Sequence, residues 1–126
     1  MSTVESSQAL RQEIKEKSLE VTQALYRTTE LISDVEPLKW ALRDTAIKTL
    51  NLVTLFVSQS YAQEKMKEFD QFNDLLDSLF IKMNLASSGT FITRTNFTLL
   101  QREYQVLQEL MECGIAGHGL PPQNCF

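Results

Sequence analysis

Apolar residues recur along this chain at the spacing of α-helical faces. In the first stretch, about residues 7–32, they follow one another at intervals of four and seven: Leu10, Ile14, Val21, Leu25 and Ile32. These intervals align side chains in one narrow stripe of a helix, close to the pattern of a coiled coil. The stretch therefore predicts an amphipathic helix that buries one face.

A second helix is predicted over about residues 37–57. Pro37 follows the acidic Glu36, and a proline in the first helical turn after a residue that can cap is a helix-start signal. One broad face of this helix is apolar: Leu38, Leu42, Ala46, Leu52, Val53 and Phe56. Trp40 and Ile47 lie close to the opposite side, so the helix has two apolar faces to cover.

The second apolar face of this helix bears most directly on function. Large apolar side chains that cluster on a surface usually mark a contact. We expect Trp40 and Ile47 to form an interface between copies of the chain. Burial under the N-terminal arm or the C-terminal tail is the alternative.

Two further helices are predicted over about residues 63–85 and 96–113. The third helix has its own core stripe: Phe69, Phe72, Leu76, Leu79, Phe80 and Met83. The inner face of the fourth helix is equally regular: Leu100, Tyr104, Leu107 and Met111. Three residues are candidate N-caps of the fourth helix: Thr93, Thr95 and Asn96. Gly114 is the expected C-cap.

Four helices of this length with short connections predict an all-α fold, an antiparallel up-down-up-down four-helix bundle. With 126 residues, the chain is expected to be a single domain that buries one core. Residues 115–126 contain two glycines and two prolines, and we expect them to form a loose or peripheral tail.

Charge and terminal composition narrow the classes of function. The formal net charge is −4, whereas nucleic-acid binders are usually basic. No run of about 18 apolar residues occurs, so no membrane span is expected, and the polar residues 1–12 do not fit a secretory signal. These features favour a cytoplasmic location, where Cys113 and Cys125 would be free thiols.

The residues do not indicate catalytic chemistry. Di-iron bundles need inward glutamates and Glu-x-x-His pairs, but the single histidine of the chain is His118, in the tail. Asp70, Asp74 and Asp77 share one face of the third helix and could hold a hard cation, yet that face is opposite the apolar stripe and water competes there. We expect no enzymatic activity, no metal or other cofactor and no small-molecule substrate.

Basic residues occur in short groups on the predicted helices. Lys39 and Arg43 lie one turn apart on the second helix, and Lys65 and Lys67 begin the third. Such groups are usually solubilising charge, but a ring of subunits would join small patches into a continuous one. Lys39 and Arg43 are therefore the candidate contacts to nucleic acid or to a partner protein.

The junction between the first two helices resembles that of a known family. The run from Ile32 to Arg43 reads ISDVEPLKWALR. It continues through further apolar positions: Ile47, Leu50, Leu55, Phe56 and Val57. This pattern is similar to a family of small bacterial four-helix-bundle proteins that includes the accessory variability determinant proteins of diversity-generating retroelements and the proteins encoded in ribosomal RNA intervening sequences. Length and helix order agree over about residues 8–113.

The resemblance implies a homo-oligomer, a pentameric barrel of bundles. For the retroelement proteins it also implies a basic surface that engages reverse transcriptase and nucleic acid; it implies no catalytic residues. This chain differs in its acidic balance and in a tail with Gly, Pro and Gln in place of basic residues. The resulting hypothesis is a non-enzymatic, self-associating accessory or adapter protein that assists a retroelement reverse transcriptase. The alternative is a protein-interaction module without nucleic-acid binding.

Overall fold

The computed structural model describes residues 3–116 and contains four α-helices in this range. They are α1 (Thr3–Thr29), α2 (Pro37–Ser58), α3 (Ala62–Ser88) and α4 (Arg94–Ala116). α1 packs against α2 and α4, and α3 also packs against α2 and α4. Consecutive helices are thus neighbours around a ring, which confirms the predicted all-α, up-down-up-down four-helix bundle.

Local capping sets the starts of two helices. Pro37 occupies the first turn of α2, and the Glu36 carboxylate accepts a hydrogen bond from the Leu38 N–H at 3.3 Å, so the predicted start is confirmed. At α4, Thr93 is the cap among the three candidates, because its hydroxyl accepts from the Asn96 N–H at 3.0 Å.

The first helix ends earlier than its apolar pattern predicts. α1 stops at Thr29, although Ile32 beyond it is buried in the core. The apolar pattern continues because the connecting segment still packs on the core, while its carbonyls at Glu30 and Ile32 accept hydrogen bonds from a side chain of α2. α3 and α4 instead run about three residues further than predicted, to Ser88 and Ala116.

The buried residues form one cluster to which all four helices contribute. The predicted apolar stripes are buried apart from three half-buried members: Leu10, Leu38 and Phe80. The Phe80 and Tyr104 rings meet edge to face with centroids 6.4 Å apart, and this contact joins α3 to α4. The 3.6-residue period therefore assigned most of the core, whereas Val57, Ala86, Ile92 and Phe97 are buried outside the predicted stripes.

Gly114 lies inside α4 and is not its C-cap, so this prediction was wrong. A Cβ at this position would come within 3.2 Å of the Phe56 ring and 3.6 Å of Ile14 Cδ1. The absent side chain allows α4 to approach α1 and α2 closely at this level. Tertiary packing, and not helix termination, explains the glycine.

We expect the substitution Gly114→Val to lower the free energy of unfolding by about 1–3 kcal/mol, because the added methyl groups overpack the contact with Phe56. Chemical denaturation measures the change. Ala9→Val, at an exposed position of α1, controls for the helix propensity of valine and should cost about 0.5 kcal/mol or less. Equal losses in the two variants would contradict the packing explanation.

Within residues 3–116, the hydroxyl of Tyr104 is buried without a hydrogen-bond partner, and burial raises its pKa above the ordinary value. An unsatisfied buried polar group destabilises the folded state. Tyr104→Phe should therefore raise the free energy of unfolding by about 1 kcal/mol, measured by denaturant titration. Tyr61→Phe, at a residue 71% exposed, should leave stability unchanged. A loss of stability in Tyr104→Phe would contradict the prediction.

Cys113 departs from the expectation of free thiols, because it is disulfide-bonded. The expectation of free thiols rested on the redox compartment alone. Disulfides are typical of oxidising surroundings, so this bond does not favour the cytoplasmic location, which stays a prediction. Cys125, His118 and the tail from residue 117 onward lie outside the described residues, whereas Ile115 and Ala116 belong to α4.

Candidate partner-binding face

Three large apolar residues on α2 point away from the core. Trp40 is 48% exposed, Ile47 37% and Leu55 53%, and we call these three residues the outer α2 face. Trp40 and Ile47 are seven residues apart, about two helical turns, so they lie along one line of the helix, and Leu55 lies about 80° around the helix from Ile47. The face opposes the core stripe, as the second apolar face was predicted to do.

A shallow groove runs beside the outer α2 face, between α2 and α3. Its volume is about 470 Å³. Apolar side chains of both helices contribute to its walls, among them Leu52, Leu55 and Leu75, and polar residues such as Lys48 and Asp74 border it. Since Leu55 belongs to both features, the face and the groove form one continuous surface.

Lys39 precedes Trp40 on α2 and binds the end of α1. It is 4% exposed, and its ammonium donates to the Ile32 carbonyl at 2.9 Å, the Glu30 carbonyl at 3.3 Å and the Asp34 carboxylate at 2.7 Å. An ammonium has three N–H donors, so all of them are used within the chain. The hydrogen bond and the charge of Lys39 lower the pKa of Asp34.

Arg43 joins α2 to α1 one turn further along. Its Nε donates to the Thr29 hydroxyl at 2.9 Å, and one terminal nitrogen donates to the Tyr26 carbonyl at 3.1 Å and to the Glu30 carboxylate at 3.3 Å. The guanidinium also lies 4.4 Å from the centroid of the Tyr26 ring. Most of the N–H donors of Arg43 are therefore used within the chain.

Trp40 is exposed but held in place. Its indole N–H donates to the Asp34 carbonyl at 2.7 Å, and the Lys39 ammonium lies 5.3 Å from its ring centroid. The ring therefore presents a fixed apolar surface to solvent at no further cost in side-chain ordering. Ile47 has no such second role, which makes it the cleaner position for mutation.

These contacts redefine the roles expected for the two basic residues. Lys39 and Arg43 were predicted to contact nucleic acid or a partner; the structure gives both a role in the α1–α2 junction. The sequence held a signal for Lys39, which precedes Leu42 by three and Ala46 by seven, the spacing of the buried stripe. The interface at Trp40 and Ile47 stays a prediction, now with exposed side chains to support it.

The aspartates of α3 do not form a cluster with ligand geometry. Asp70, Asp74 and Asp77 are all exposed. Within residues 3–116, no group of three or more His, Cys, Asp or Glu side chains is placed to hold a metal ion. In the same range, the helices are too short or too polar for any of them to span a bilayer.

Comparison with known proteins adds no assignment: no family model, curated protein or solved structure matches the chain.

Proposed function

We propose that this protein is a non-enzymatic bundle that self-associates through the outer α2 face and acts as an accessory or adapter protein. The observation that carries the proposal is the exposure of three large apolar residues on one helix: Trp40, Ile47 and Leu55. In line with the resemblance of the junction sequence, the homo-oligomer is a pentamer and the molecule assisted is a retroelement reverse transcriptase, with its nucleic acid.

The physical support lies in the cost of leaving such a face in water. Burying apolar surface stabilises an association by about 25 cal/mol per Å², and tryptophan is enriched among residues that dominate interface energies. Trp40 is already ordered by its bond to Asp34, so little entropy is lost when a partner covers it. The adjoining groove offers a concave surface for a complementary side chain.

The alternative, a protein-interaction module without nucleic-acid binding, is favoured by a specific observation. Lys39 and Arg43 direct their donors into the junction, and the net charge is −4. Binding to a labelled oligonucleotide at increasing salt separates the two. A steep loss of affinity with salt supports the nucleic-acid role, and no binding at low salt supports the alternative.

The variant Ile47→Glu tests the proposed interface. A glutamate buried between subunits loses its hydration, so we expect the variant to be monomeric at concentrations where the parent is oligomeric. Leu99→Glu is the matched control, because Leu99 is 50% exposed on α4 and lies away from the outer α2 face. Sedimentation velocity measures both, and circular dichroism checks the fold.

Two outcomes would contradict the proposed interface. One is an Ile47→Glu variant that keeps the oligomeric state of the parent. The other is dissociation by Leu99→Glu to the same extent, which would place the contact elsewhere.

A further inference from the structure

Two cations lie at the end of the bundle where α1 and α3 begin, and among the described residues neither has an acidic partner. Lys65 is in the first turn of α3 and is only 5% exposed. Within residues 3–116 its ammonium makes no hydrogen bond and no ion pair, in contrast to the fully used ammonium of Lys39. Arg11, on α1, is partly buried, and its Nε is buried without a hydrogen-bond partner.

Arg11 and Lys65, which we call the cationic end cluster, lie close enough to repel each other. Burial lowers the pKa of Lys65, and the charge of Arg11 lowers it further. Within the described residues neither side chain forms a salt bridge. Like charges in a poorly hydrated place destabilise the fold unless something compensates them.

The surroundings of the cluster supply only part of that compensation. The Lys65 ammonium lies 5.6 Å from the centroid of the Phe56 ring, which attracts a cation but accepts no strong hydrogen bond. Two acids flank Lys65 along α3. Glu64, in the same first turn, is exposed. One oxygen of Glu68 accepts from the Gln59 amide at 2.6 Å, and within residues 3–116 the other is buried without a partner. Within the same residues neither carboxylate forms an ion pair with Lys65.

The start of α3 adds positive potential of its own. Its N-cap, Tyr61, makes no side-chain hydrogen bond to the helix, so the backbone N–H groups of the first turn stay available to donate to a ligand. A helix N-terminus favours a negative charge beside it. Lys65 is an independent feature that favours the same kind of ligand, because the residue is only 5% exposed and its ammonium has no partner within residues 3–116.

We propose that Arg11 and Lys65 bind a small oxyanion, of the class of inorganic phosphate or a phosphate monoester, at this end of the bundle. A tetrahedral oxyanion accepts hydrogen bonds from an ammonium and a guanidinium together, and its charge removes the repulsion between them. The site is separate from the outer α2 face, and the proposal does not depend on self-association.

Chemical denaturation in inorganic phosphate at constant ionic strength tests the site. A ligand that binds only the folded state raises the ratio of folded to unfolded protein about tenfold at ten times its Kd. We expect this increase for the parent and for Lys67→Met, which removes an exposed lysine two residues away. We expect none for Lys65→Met, and in chloride Lys65→Met should be at least as stable as the parent.

A phosphate effect of equal size in Lys65→Met, or no effect in the parent, overturns the proposal. If Lys65→Met does not fold, Arg11→Gln takes its place, with the same loss of the phosphate effect expected. Stabilisation by a short oligonucleotide without stabilisation by phosphate would also overturn it, because the cluster would then bind a nucleic-acid backbone.

Discussion

Replacing Phe56 by alanine should lower the free energy of unfolding by about 3–5 kcal/mol. The side chain is 1% exposed and lies at the level where Ile14 of α1 and Gly114 of α4 come together. Because Gly114 has no side chain, the Phe56 ring fills the space beside it. Truncation would therefore open a cavity that the helices can close only by moving, and the loss should fall in the upper part of the range for such substitutions.

Urea titration of parent and variant measures the change for Phe56→Ala. Phe91→Ala is the control with identical chemistry, because Phe91 is 43% exposed in the α3–α4 connection. It should cost about 1 kcal/mol or less. Similar losses at the two positions would contradict the view that this level of the core depends on the Phe56 ring.

Lys39→Met should lower the free energy of unfolding by about 2–3 kcal/mol, since it leaves the Glu30 and Ile32 carbonyls at the end of α1 without their donor. Methionine retains most of the apolar stem, so lost packing contributes little. Lys48→Met is the matched control. Lys48 is exposed and, within the described part of the chain, pairs only with Asp44, one turn away. An exposed pair of this kind is worth about 0.5 kcal/mol.

The same variant has a second measurable effect, on Asp34. In the parent, Lys39 lowers the pKa of Asp34 from its ordinary value of 3.8, so the pair stabilises the fold above that pH and the contribution is lost as the pH falls through the lowered pKa. In Lys39→Met the pKa should return toward 3.8, as followed by NMR titration of the carboxyl. An unchanged pKa would contradict the assigned pairing.

The sequence was sufficient to predict which residues are buried where apolar residues repeat at helical spacing. Ile14, Val21 and Leu25 repeat at helical spacing and are buried, and Pro37 with Glu36 marked the start of α2. These signals are local, because hydrophobic period and capping depend on residues within a turn or two.

Features that depend on contacts between helices were not predictable in the same way. Glycine is the residue type typical of a C-cap, and only the approach of Gly114 to Phe56 shows why it stands inside α4. Lys39 and Lys65 were interpreted as surface charge because lysine is rarely buried, yet each points inward from a position of its helix stripe. The candidate face at Trp40 and Ile47 could be predicted from the sequence, because apolar residues on the polar side of a helix are themselves a local signal.

Absolute mass in solution, by light scattering coupled to size exclusion, tests the central claim of self-association most directly. Self-association predicts a mass several times that of one chain, and near five times 14.4 kDa for the pentamer. A mass of one chain at every concentration examined would contradict it and leave the outer α2 face to a different partner.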